Sequence, residues 1–489
     1  MMGRNMKKKI LGMFVCMLLI VTAVPTVESL NDRTITSILP KSSQPYTRVE
    51  WNEKQKLRAL DSAPHDLFSY SVSIDGDTAL IEAYRYDIIK DWDVSVYVFT
   101  RTGTTWTQQQ KLLASEAGEF GYSLSLSGDT AIIGAPYADD NGATDSGCAY
   151  VFTRTGTTWT KQQKLLASDG TAGDVFGYSV SLNGNTALIG AAGDDGNQAY
   201  SGSAYVFTRT GTTWTQQAKL LASDGWKYGG FGWSVSLSGD TALIGVPWDH
   251  DNGANSGSAY VFTRTGTSWT QQTKLLASDG AAEDIFGVSV SLSGDTVLIG
   301  ADGYAFSPSG LGSAYVFIRT GTTWTQQAKF LASDGAAGDE FGWSVSLSGD
   351  TALIGACYDD DNGGASGSAY VFTRTSTTWT QQQKLISSDG GVGSRFGYSV
   401  SLDGDTALIG AYYETDYETH GSAYVFTRTG TTWTEQTKLL SLCGVDNESD
   451  LAQLEVPVPV SINLPFYQLI GKLFQRFPYA FPILRQLLG

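Results

Sequence analysis

Residues 341–388 read FGWSVSLSGDTALIGACYDDDNGGASGSAYVFTRTSTTWTQQQKLISS, and four strand patterns follow one another in them. FGWSVSL alternates Ser with apolar residues at a period of two, the mark of a half-buried strand. TALIGA is a nearly continuous apolar run, expected to be buried on both faces. SAYVFTR forms a third strand, and WTQQQKL a fourth and most polar one. Ser-Gly-Asp joins the first strand to the second, where Gly permits the positive φ of a tight hairpin. A turn that reads Thr-Gly-Thr-Thr in most copies joins the third to the fourth. A variable loop of about ten residues separates the second strand from the third. Gln and Lys on the fourth strand suit an outer edge, where charge discourages pairing between sheets.

The unit recurs. A Phe, usually followed by Gly, opens it at Phe68, Phe120, Phe176, Phe231, Phe286, Phe341 and Phe396, at spacings of 52, 56, 55, 55, 55 and 55 residues. A fixed period of this size marks a propeller, a solenoid or an array. Four antiparallel strands grading from apolar to polar describe a propeller blade better than a solenoid rung. An open array would need polar capping repeats, and the last copy shows no such face. The expected fold is therefore all-β, a seven-bladed β-propeller of four-stranded antiparallel blades over residues 46–442. The first copy departs most: Ser69 replaces the Gly after Phe, Glu82 replaces the Gly after the second strand, and the loop 84–93 lacks Asp-Asn-Gly. Trp-x4-Lys followed by Leu, or by Phe330 in one copy, occurs eight times, from Trp51 onward, against seven Phe anchors. Either 51–57 or 433–439 thus completes the last blade. The C-terminal segment is favoured, because a tight hairpin already joins it to 423–426.

Residues 1–29 read as a signal peptide: Arg4 and Lys7 to Lys9 precede an apolar run at 10–24, and a small-residue site follows near Ser29. Fifteen apolar residues are short for a spanning helix, although a retained anchor is the alternative. Its removal takes away four basic residues and one acidic, moving the formal charge from −17 to −20. Residues 30–45 and 443–462 read as linkers. In 463–489, Phe466, Leu469, Ile470, Leu473, Phe474 and Phe477 fall at helical spacing, which predicts a short amphipathic tail able to dock on the propeller, another chain or a membrane surface. The excess of 49 acidic over 32 basic residues excludes a nucleic-acid partner, which needs a basic surface. Cys148, Cys357 and Cys443 are too scattered for a disulfide framework, and Cys148 stands where sister copies carry Ser203 and Ser258.

Phe120-Gly121 with Gly134-Ala135-Pro136, and Phe231-Gly232 with Gly245-Val246-Pro247, resemble the FG-GAP repeat of integrin α-chain propellers and their prokaryotic relatives. The resemblance implies a secreted or cell-surface propeller used for binding or adhesion. It also implies calcium in loops patterned Asp-x-Asp-x-Asp-Gly-x-x-Asp. The candidate ligands are Asp139, Asp140, Asn141 and Asp145 in one loop, Asp249, Asp251 and Asn252 in a second, and Asp359, Asp360, Asp361 and Asn362 in a third. The fit is partial, since Tyr137, Trp248 and Tyr358 occupy the first ligand position. Calcium wants six to eight oxygens, so such loops would have to recruit carbonyls or neighbouring residues. The same residue types also build ordinary Asx turns without metal.

Catalytic patterns are missing. His65, His250 and His420 form no HExxH and pair with no Cys at zinc spacing. There is no nucleophile elbow and no P-loop. His250, in Trp-Asp-His-Asp, is the one unusual local cluster. The expectation is a non-enzymatic extracellular binding or adhesion propeller that recognises a protein or glycan through the loops joining second to third strands, where copies differ most. Tyr137, Trp248 and Tyr358 are its candidate partner-binding residues, because interfaces favour aromatic anchors. Packing between blades is the competing role for them. The alternatives are a structural surface-layer or matrix component and, last, a hydrolase acting in the central channel, which would need unique paired carboxylates at its mouth.

Overall fold

A computed structural model describes residues 57–59, 66–85, 93–114, 119–140, 142–303, 310–413 and 421–441. The proposed signal peptide, linkers and C-terminal tail lie outside the described residues. Seven sheets follow one another along the chain, each with four strands paired antiparallel in chain order. The third blade is representative, with strands Phe176–Asn183, Thr186–Ala191, Ser203–Thr210 and Thr213–Leu220. No helix occurs among the described residues. The apolar second strand is buried along its whole length, from Thr186 to Ala191, as its unbroken hydrophobic run requires. Seven hydrophobic clusters occupy the seven interfaces between blades. Each joins side chains of two neighbours, as where Ile132 and Val151 of the second blade meet Phe176 and Ile189 of the third. The core of this fold lies between sheets, so no blade can bury its apolar surface alone.

The alternating Ser residues of the first strand turn out to be joints between blades. The innermost strand of a blade exposes backbone N–H groups that no further strand pairs, and such groups must find acceptors. Ser73 accepts from Leu126 N–H, Ser125 from Leu182, Ser181 from Leu237, Ser236 from Leu292, Ser291 from Leu347, Ser346 from Leu402, and Ser401 from Ile74. The series crosses every interface, including that between the last blade and the first. Two further clasps repeat equally often. Arg154 stacks on Trp159, binds Asp129 of its own first hairpin, and reaches Thr78 of the preceding blade at 2.9 Å. Trp159 Nε1 donates to Gln109 of that blade at 3.1 Å. Gln on the fourth strand therefore serves as an acceptor between blades, which corrects its reading as edge protection alone.

Across each interface the Gly that ends the second strand faces the Gly after the next Phe. A Cβ on Gly190 would lie 2.0 Å from Gly232 O. The two departures of the first copy each meet an intact partner: Ser69 stands against Gly410, and Glu82 against Gly121. Ser69 takes φ 76° and donates from Oγ to Ser422 O at 2.6 Å. Thr432–Ser441 completes the last blade as its fourth strand, and Leu57–Ala59 adds alongside it as a parallel fifth, Leu57 opposite Leu439. Both surplus segments therefore belong to one sheet. Closure rests on the clasps of the other interfaces, Arg101 to Thr406 and Trp106 to Gln436.

Candidate functional site

Strand order places the Ser-Gly-Asp and Thr-Gly-Thr-Thr hairpins on one face of the ring. The loops from second to third strand, and the crossovers between blades, lie on the other. On this loop face the lysine of the fourth strand is half-buried among carboxylates. Lys274 Nζ lies 2.7 Å from Asp249, 2.5 Å from Asp251 and 3.0 Å from Asp224 of the preceding crossover, and 5.1 Å from the Tyr260 ring centre. Lys384 repeats this with Asp359, Asp361 and Asp334, and Lys219 with Asp194 and Asp169. Carboxylates around an ammonium favour its charged form, and the Lys274 and Lys384 pKa values lie well above the usual lysine range, held there against desolvation by hydrogen bonds to these aspartates.

Most candidate calcium ligands fall within this arrangement. Asp140 pairs with Lys164, Asp249 and Asp251 with Lys274, and Asp359 and Asp361 with Lys384. Asp139 accepts from Asp145 N–H at 2.9 Å, and Asp360 from Ala365 N–H at 2.7 Å, as Asx turns do. The backbone N–H groups of Asn252 and Asn362 donate to Ser256 Oγ and Ser366 Oγ. Asn141 lies outside the described residues. A calcium ion would have to displace an ammonium that already holds the buried carboxylates. Among the described residues, no group of three His, Cys, Asp or Glu side chains is gathered as a metal set. The residues present do not fit calcium in the expected register. The crossover aspartates 169, 224, 279, 334 and 389 recur in the sequence only as Ser-Asp-Gly.

Around the ring, the residue two after each Phe anchor forms an aromatic collar. Tyr70, Tyr122, Tyr178 and Trp233 touch in succession, Trp343 and Tyr398 continue the series back to Tyr70, and Val288 interrupts it. Two of the candidate partner residues, Tyr137 and Trp248, stand on this collar. Tyr137 packs edge-on to Tyr122 at 5.9 Å and is 37% exposed, while Trp248 packs edge-on to Trp233 at 4.4 Å. Tyr358 lies beneath Arg395, which also contacts Tyr412. Packing and exposure are therefore both present in these residues. Burial pushes the Tyr122, Tyr178 and Tyr398 phenols far above their ordinary range and keeps them neutral.

Two features were missed by sequence reasoning. Asp302 and Glu340 are both pushed up to about 7, chiefly by burial, with Glu340 also repelling Asp302. Asp302 Oδ1 and Glu340 Oε2 have no hydrogen-bond partner. Asp302 is only 5% exposed, whereas Glu340 is half-buried. The second feature is a cleft of about 630 Å³ between the third and fourth blades, lined by Tyr200, Trp226, Tyr228, Trp248, His250 and Asn255 among others. His250 meets Trp226 edge-on at 5.1 Å, and its Nδ1 accepts from Asn255 N–H at 2.8 Å. Trp226 and Tyr228 come from a crossover that departs from its sister copies, which was the available signal.

The sequence model of the FG-GAP repeat matches seven times, at residues 51–99, 106–152, 159–207, 214–262, 269–317, 324–372 and 379–426, well over half of the chain. Among curated proteins, none matches by sequence. Similar solved structures include the β-propeller domain of the Trilobed protease from Pyrococcus furiosus, described as having an open velcro topology. It is 9% identical with a TM-score of 0.45, and the match covers 76% of this chain and 98% of that one. A candidate 6-phosphogluconolactonase of Bacteroides fragilis is 10% identical with a TM-score of 0.48, covering 76% and 94%. Another, of Bacteroides uniformis, is 12% identical with a TM-score of 0.47, covering 75% and 97%.

Proposed function

This chain belongs to the FG-GAP repeat family, and on that premise we propose that it is a non-enzymatic, extracellular binding propeller that engages a protein or glycan partner through its loop face. One observation carries the reading. All ten large apolar side chains that stand exposed among the described residues, from Leu113 and Tyr137 to Val392 and Tyr413, belong to second-to-third loops or to the crossovers between blades. The opposite hairpins expose none. Apolar side chains left in water on one face mark an interaction surface, and the hairpin face is committed to the repeated Arg, Asp and Thr clasp. Lysine acts as the resident cation of the Asp-rich loops, so calcium is not required for the fold.

The test is retention of the full chain on envelopes of the producing cells. Trp248→Ala and Tyr358→Ala are expected to lose retention while unfolding at nearly the wild-type temperature. Retention unchanged in both variants would refute the loop face as the binding surface. The seven repeated clasps also favour a second reading, a structural surface component. That reading predicts self-assembly of the purified chain without any partner.

A further inference from the structure

Resting on the reading of the loop face as the binding surface, we propose that the cleft between the third and fourth blades is a carbohydrate site that takes pyranose rings. Its aromatic wall is local to this position in the ring. The crossover preceding the fourth blade reads Trp-Lys-Tyr-Gly-Gly where others read Thr-Ala-Gly-Asp-Val, Ala-Ala-Glu-Asp-Ile and Ala-Ala-Gly-Asp-Glu. Trp226, Tyr228 and Tyr200 remain 50%, 56% and 51% exposed, although the repeat tryptophans Trp106, Trp159, Trp214 and Trp433 are buried to 2% or less. Tyr228 also holds φ 65°, at a position where Gly173, Gly338 and Gly393 serve in other crossovers. Glu283 takes φ 69° at the same position of the next crossover, so the turn is common to the copies and the exposed ring is what sets Tyr228 apart.

The geometry suits a sugar. Tyr200 and Tyr228 are nearly parallel, 5.6 Å apart with 19° between their planes, and line the cleft together with Trp226. The C–H faces of a pyranose carry partial positive charge and rest on the negative face of an aromatic ring. Its hydroxyls need donors and acceptors close by. His250 accepts at Nδ1 from Asn255 N–H, which leaves the ring proton on Nε2. The Asn255 carboxamide donates from Nδ2 to Glu283 at 3.0 Å, which holds its oxygen at the same wall as an acceptor. The volume lies within the ~300–1,000 Å³ of small-ligand sites.

Other occupants fit less well. No carboxylate lines the cleft, and Lys227 stands at its rim, 4.7 Å from the Tyr228 ring centre, where it would repel an ammonium ligand. Ala192 is the only aliphatic side chain in the lining, too little for an apolar peptide helix.

The experiment is titration of the full chain with soluble oligomers of glucose, mannose, N-acetylglucosamine and galacturonic acid, read by tryptophan fluorescence and by calorimetry. At least one oligomer should bind saturably. Trp226→Ala should weaken it by about tenfold or more, as loss of a stacked aromatic anchor does, while Thr157→Ala on the hairpin face leaves binding unchanged. Trp226 is half-exposed, so its variant should keep the wild-type unfolding temperature. Silence of all four oligomers, or equal binding by Trp226→Ala, overturns the carbohydrate assignment. If envelope retention still depends on Trp248 and Tyr358 in that case, only the ligand class falls. If retention is also lost as a property of the loop face, the binding reading falls with it.

Discussion

At the glycines where blades meet, one methyl group is decisive. Gly190 has no room for a Cβ against Gly232 O, so Gly190→Ala must separate two backbones in a packed interface. A loss of about 3 kcal/mol is expected in urea unfolding, at the upper end for overpacking. A loss below the error of the measurement would contradict the tight approach. Asp302 and Glu340 make a second prediction. Their folded carboxyls titrate near 7 while unfolded carboxyls titrate in the ordinary range near 4, so the folded chain holds more protons between those values. Stability should therefore fall as pH rises from about 4 to about 7 and level off above. Cys357, Tyr358 and Arg395 also face this pair, and Arg395 partly offsets the effect at Glu340. Asp302→Asn should raise the unfolding temperature at pH 8 more than at pH 5. Equal shifts at both values would show that Asp302 carries no excess proton.

Within the blade, the fourth strand and its lysine show how far the sequence could be read. The strand, its place at the sheet edge and its polar character were legible from WTQQQKL. The role of the polar groups was not, because Gln109 finds Trp159 in the next blade and Lys274 finds Asp224 on the crossover from the preceding blade. Such partners are set by ring geometry and not by local pattern. The first strand gave the same lesson, since alternating Ser looks solvent-facing until the neighbouring N–H groups are placed. Lys274→Met would leave the buried Asp249 without its counterion, at a cost of about 3 kcal/mol. Calcium and chelator should leave the wild-type midpoint where it is, whereas millimolar calcium should partly restore the variant. A calcium-dependent midpoint in the wild type would reverse the assignment of lysine as resident cation, because a metal that binds only the folded state must raise it.

For the molecule as a whole, seven copies at a fixed period specified the number of blades, and the lack of a polar cap specified closure. The exposed cleft was less legible, because Trp226 and Tyr228 matter only once the crossover lies beside Tyr200 and Trp248. Closure has its own test. Trp106 at the last-to-first interface and Trp214 at an internal one are both buried and both donate to Gln in the preceding blade. Trp106→Ala and Trp214→Ala should each cost about 3–5 kcal/mol and preserve a single unfolding transition. A much smaller cost at Trp106 would mean that the ring is open there. The division of labour between faces is tested most directly by hydrogen exchange of the full chain, with and without envelopes of the producing cells. Protection is predicted in the loops carrying Tyr200, Trp226 and Trp248, with the hairpins at Gly103, Gly156 and Gly211 unchanged. Protection of the hairpins instead, or of neither face, would contradict the account.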